Sequence, residues 1–218
     1  MEKRKVILTL LLEGWIEEFF LPPYFKALSN SHPFDFERDN LTNPVHKESM
    51  GKTKNLKRLP FVSQSFLANA IQHKADGAEA LLVFGVDLEW EEAGKPIQNE
   101  GDIKIEMQRI EDAFNLGTLG IDISTKILFI PIRCFETWIW YLRNPAEERG
   151  SFERISNRNL KTSIYGSVRS SIGHSRDEVK RLETEGFITK PNFDRLSTQS
   201  PSFKHFNDQI LAYLQKIS

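Results

Sequence analysis

Three short apolar runs dominate the pattern of hydrophobic and polar positions along the chain. Residues 6–12 read Val-Ile-Leu-Thr-Leu-Leu-Leu, residues 80–86 read Ala-Leu-Leu-Val-Phe-Gly-Val, and residues 126–132 contain Ile-Leu-Phe-Ile. Runs that are apolar at nearly every position are typical of strands buried on both faces of a parallel sheet. We therefore predict three buried parallel strands.

Between these runs, apolar residues recur at the spacing of a helix. The helices predicted from this spacing cover residues 17–28, 65–74, 102–114 and 135–142. The first contains Pro22 and Pro23, so we expect either a kink or a new helix that starts at Pro22.

Two further segments lack a helical period. Residues 59–62 are predicted to form a short strand. The polar stretch 29–58 carries Pro33 and Pro44 and is predicted to be a long loop insertion.

The order of these elements predicts the fold class. Strands alternate with helices over residues 1–145, which is typical of a doubly wound α/β domain with a mostly parallel sheet. Residues 146–218 carry helical segments, the clearest over 203–217. We predict that they form a mainly helical C-terminal region packed on the first domain.

Acidic residues follow directly on two of the predicted strands. Glu13 precedes Gly14 after the first run, and Asp87 and Glu89 follow the second. Ligands of open α/β sheets bind beyond the carboxyl ends of the strands, so we expect these three acids to meet at one edge. Three carboxylates in one place repel each other unless a cation lies among them. A hard cation such as Mg²⁺, or Mn²⁺, is the expected occupant.

Charge is distributed unevenly, although the net charge is only −1 at pH 7. Acids outnumber bases over residues 76–122, around the proposed cation site, and bases outnumber acids over residues 151–218. Basic side chains on one surface favour a phosphate backbone as partner. We therefore predict nucleic acid as a partner. A small basic cluster in the predicted loop is a candidate phosphate contact and comprises Lys52, Lys54, Lys57 and Arg58.

Cysteine and histidine usage excludes some alternatives. The single cysteine, Cys134, rules out an internal disulfide framework, and none of the five histidines has zinc-ligand spacing. The N-terminal apolar run is interrupted by Glu13 and Glu17, and no run reaches the roughly 20 apolar residues that span a bilayer. We expect a soluble, cytoplasmic protein without membrane contact.

The order strand–Glu–Gly, helix, strand–Asp-x-acid resembles the Toprim domain. That domain occurs in topoisomerases, primases, OLD-family nucleases and small stand-alone proteins. Its pattern is an early Glu and a later Asp-x-Asp, so Glu89 departs from it. Two more stretches are similar to a group of small Toprim-like proteins: Phe135-Glu136-Thr137-Trp138, and Ser200-Pro201-Ser202-Phe203.

The resemblance implies Mg²⁺-dependent chemistry on phosphodiesters. Asp87 and Glu89 would hold the metal, and Glu13 would bind it or act as a general acid or base. A chain of this length is too short for a topoisomerase or primase, which leaves a nuclease. Defence against foreign DNA is the setting that the resemblance implies, with a partner ATPase as a candidate companion. Glu136 is expected instead to complement the N-terminus of its helix.

Two other hypotheses remain open on the sequence. One pairs Asp87 with Asp102-Ile103-Lys104, an acid-x-Lys arrangement like that of restriction-type nucleases, and needs residues 102–106 to be a strand. The other is a non-catalytic module with the same fold that binds nucleic acid or a protein. The sequence does not distinguish DNA from RNA or endo- from exonuclease action, and it is silent on the oligomeric state.

Overall fold

Parallel strands flanked by helices form the fold. The structure is a computed structural model and describes residues 3–12, 15–39, 59–85, 100–116, 126–129, 135–150, 157–166 and 172–218. The strands are β1 (Arg4–Leu12), β2 (Phe34–Arg38), β3 (Glu79–Gly85) and β4 (Lys126–Phe129). The helices are α1 (Trp15–Ser29), α2 (Leu59–Ala75), α3 (Glu100–Leu116), α4 (Glu136–Arg143), α5 (Asn157–Tyr165), α6 (Ile172–Thr184), α7 (Lys190–Gln199) and α8 (Pro201–Ile217).

In the described part of the chain, the four strands lie in the order β2-β1-β3-β4, and every neighbouring pair is parallel. β1 and β3 pair from Val6 and Glu79 up to Leu12 and Gly85. Gly85 also pairs with Phe129 of β4. The α/β class and the parallel sheet are therefore confirmed, and the topology is compatible with a doubly wound fold.

The two faces of the sheet are covered by different helices. Leu10 and Val83 are register partners and share the large core cluster with α1 and the C-terminal helices. Phe84 lies on the opposite face, where its ring stacks on Phe114 of α3 at 4.9 Å. Because side chains alternate between faces, a strand that is apolar at every position serves both layers.

The segment predicted as a loop over residues 29–58 contains a strand, and the prediction was wrong for residues 34–38. β2 pairs parallel to β1 from Arg4–Phe34 to Leu8–Arg38. Phe34 is buried, whereas Asp35 and Glu37 are exposed. This alternation is that of a half-buried edge strand. Residues 40–58 lie outside the described part.

Residues 59–62 form the first turn of α2, and the predicted short strand was wrong. Pro60 explains the difference, because proline is tolerated in the first turn of a helix and removes a hydrogen bond from a strand. Residues 102–106 are likewise helical, within α3. The acid-x-Lys hypothesis built on Asp102 and Lys104 required a strand there and is excluded.

Helix α1 passes through Pro22 and Pro23 without interruption. Its buried residues recur at helical spacing and comprise Phe20, Leu21, Tyr24, Phe25 and Leu28. Burial of this apolar stripe stabilises the helix and outweighs the local cost of the two prolines.

The C-terminal helices pack against the sheet and α1. α8 contacts β4 and α7, α6 contacts α1, and α4 contacts α5 and α7. The predicted helices over 135–142 and 203–217 are confirmed in α4 and α8. Within the described ranges, no helix combines the length and hydrophobicity needed to cross a lipid bilayer.

Candidate functional site

The strand order places a topological switch point between β1 and β3. The chain moves from β1 outward to β2 on one side, and then to β3 and β4 on the other side. In open α/β sheets with this order, the two connections leave the carboxyl edge in opposite directions and a crevice opens between the central strands. The carboxyl ends of β1 and β3 are therefore the position at which open α/β sheets of this order bind ligands.

The register of β1 and β3 shows how the strand ends that precede the predicted acids are aligned. Leu12 pairs with Gly85 at the carboxyl ends of the two strands. Glu13 follows Leu12 by one residue, and Asp87 follows Gly85 by two. Glu13, Asp87 and Glu89 themselves lie outside the described residues, so their mutual distances stay a prediction. What is established is that the strands preceding them are neighbours and end level with each other.

The basic cluster and Cys134 also lie outside the described residues. The cluster comprises Lys52, Lys54, Lys57 and Arg58. In the part of the chain that is described, no group of three or more His, Cys, Asp or Glu side chains is arranged to hold a metal ion. A metal site at this edge therefore depends on the acids that follow β1 and β3.

Glu136 is a buried acid in the first turn of α4. It is only 4% exposed. The hydroxyl of Tyr165 donates to its Oε1 over 3.4 Å, which is a long hydrogen bond. The residue before it, Phe135, begins the helix without a side-chain capping bond. Among the described residues, no lysine, arginine or histidine forms an ion pair with Glu136.

The other end of α4 accepts hydrogen bonds from a neighbouring helix. Arg195 of α7 donates from Nη1 to the Tyr141 carbonyl at 2.9 Å and from Nη2 to the Leu142 carbonyl at 3.0 Å. Arg143, the last residue of α4, forms a 2.7 Å ion pair with Glu178. Burial raises the pKa of Glu178, and Arg143 opposes that shift. The two bonds from Arg195 satisfy carbonyls that a helix leaves unpaired at its C-terminus.

The two stretches that resemble small Toprim-like proteins touch each other inside the protein. The indole Nε1 of Trp138 donates to the Ser202 hydroxyl at 2.8 Å, and the Trp138 and Phe203 rings meet edge to face at 4.9 Å. Ser200 caps α8 by accepting from the Phe203 amide at 3.2 Å. Both stretches are buried, and their shared role here is packing between α4 and α8. Trp138 is accordingly a core residue.

A buried polar cluster that the sequence interpretation missed lies between β1, β2 and α2. Thr9 donates to Asp39 Oδ2 at 3.3 Å, and His73 Nε2 lies 3.1 Å from the same oxygen. The Asp39 amide donates to the Leu8 carbonyl at 2.8 Å, which extends the β1–β2 pairing. Thr9 is the single polar residue of its apolar run and was the available signal. The cluster ties the end of β2 to α2.

Several basic residues of the C-terminal region neutralise acids on their own helices. Arg181 pairs with Glu185 at 2.6 Å and Lys190 with Asp194 at 2.8 Å, while Lys204 pairs with Asp208. Exposed pairs one turn apart are ordinary features of helix surfaces. They weaken the case for a continuous phosphate-binding surface on these helices.

Comparison with known proteins identifies no relative, because no family model, curated protein or solved structure matches the chain. The Toprim resemblance therefore rests on the sequence motifs and stays a prediction.

Proposed function

We propose that the protein is a Toprim-like, Mg²⁺- or Mn²⁺-dependent nuclease whose site lies at the carboxyl edge of the sheet, between β1 and β3. The observation that supports this most directly is the pairing of Leu12 with Gly85. It makes the strands that lead into Glu13 and into Asp87 neighbours at the switch point, where α/β sheets bind ligands.

The residue types suit a divalent cation. Carboxylates are the ligands that Mg²⁺ prefers, and Mg²⁺ typically takes one or two of them together with phosphate oxygens. Asp87 and Glu89 would hold the ion, and Glu13 would complete the donor set or accept a proton. When bound, the ion would supply charge neutralisation at the reacting phosphate.

The protein's own groups have distinct tasks in this proposal. The rigid β1–β3 pair positions the acids, because both strands are paired up to the residues that precede them. The basic residues Lys52, Lys54, Lys57 and Arg58 are proposed to bind the phosphate backbone, which gives affinity without reading base sequence. A partner ATPase and a role in defence against foreign DNA remain part of this proposal.

The experiment is a cleavage assay on single- and double-stranded DNA and RNA with Mg²⁺ or Mn²⁺, using wild type, Asp87→Asn and Asp76→Asn. Asp76 is the matched control because it is exposed and precedes β3 at the opposite edge of the sheet. We expect metal-dependent cleavage by wild type and Asp76→Asn, and loss of cleavage in Asp87→Asn.

The outcomes separate the hypotheses. Equal cleavage by Asp87→Asn and wild type would place the activity elsewhere and contradict the proposed site. Nucleic-acid binding without cleavage of any substrate would contradict the nuclease and support the non-catalytic module.

A further inference from the structure

We draw no further inference here: the strongest candidate, the buried polar cluster of Thr9, Asp39 and His73 between β1, β2 and α2, ties the end of β2 to α2 through contacts within the protein, and nothing in the described residues shows a ligand, substrate or partner that it would take.

Discussion

The two ends of helix α4 are stabilised in different ways. At the C-terminal end, Arg195 donates to two carbonyls and Arg143 pairs with Glu178. At the N-terminal end, no side chain caps the helix, and the buried Glu136 accepts one long hydrogen bond. The first end is stabilised by contacts within the protein. The second end is held instead by packing, with the Phe135 ring 4.8 Å from the Phe20 ring of α1.

The largest loss of stability is expected for a substitution at Trp138, which lies between the two ends of α4. The ring is fully buried, its indole donates to Ser202 at 2.8 Å, and it contacts Phe203 and Phe206. Trp138→Ala should lower the free energy of unfolding by about 3–5 kcal/mol, because it leaves a cavity and removes the hydrogen bond to Ser202. Urea denaturation measures this.

Trp140 is the matched control for that substitution. It lies on the same helix and is half-buried. Trp140→Ala should cost clearly less than Trp138→Ala. An equal or larger loss would mean that the α4–α8 contact does not hold the helix in place.

The second largest loss of stability is expected at the C-terminal end of α4. Arg195→Met keeps an apolar stem and removes the donors to the Tyr141 and Leu142 carbonyls. We expect a loss of about 2 kcal/mol in the free energy of unfolding, the usual size for hydrogen bonds from a charged donor. Arg181→Met is the control, because Arg181 is exposed and forms a surface ion pair with Glu185. It should leave stability unchanged, and a matching loss in both variants would refute the proposed role of Arg195.

A smaller effect depends on pH and concerns the aromatic core around α4. Burial, together with the charge of Asp194, raises the pKa of Tyr24 well above its ordinary value of 10.0. The fold therefore favours the neutral phenol. Stability from this group is fully present below that ordinary value and is lost as the pH rises above it.

Tyr24→Phe tests the predicted direction in which stability changes with pH. Near neutral pH it should cost about 1 kcal/mol, since Tyr24 donates to Asn207 Oδ1 at 2.8 Å. Above the ordinary tyrosine pKa, the variant should lose less stability with rising pH than wild type. Some alkaline sensitivity will persist because burial also raises the pKa of Tyr213. Denaturation curves over an alkaline pH series measure this, and identical slopes would contradict the account.

Apolar periodicity was sufficient to predict the central elements of the fold. β1 and β3 are apolar at nearly every position because both faces of the sheet are covered, so their burial was predictable. α4 and α8 were also predictable from their spacing. β2 was missed because its Phe-Asp-Phe-Glu alternation is short and stands in a polar stretch. The start of α2 was missed because Pro60 was not recognised as a first-turn residue.

The candidate site was predictable only in part. The acids after β1 and β3 could be proposed because strand ends are visible in the sequence. The pairing of Leu12 with Gly85 could not be proposed, since register depends on contacts between distant segments. The Thr9–Asp39–His73 cluster and the hydrogen bond from Tyr165 to Glu136 also escaped prediction. Both arise from three-dimensional neighbours rather than from local spacing.

The measurement that tests the central claim most directly is calorimetric titration of Mg²⁺ and Mn²⁺ into wild type and Asp87→Asn, with Asp76→Asn as control. The account predicts that wild type and Asp76→Asn bind the ion and that Asp87→Asn binds it much more weakly. Equal binding by all three proteins, or no binding by wild type even with nucleic acid present, would contradict a metal site between β1 and β3.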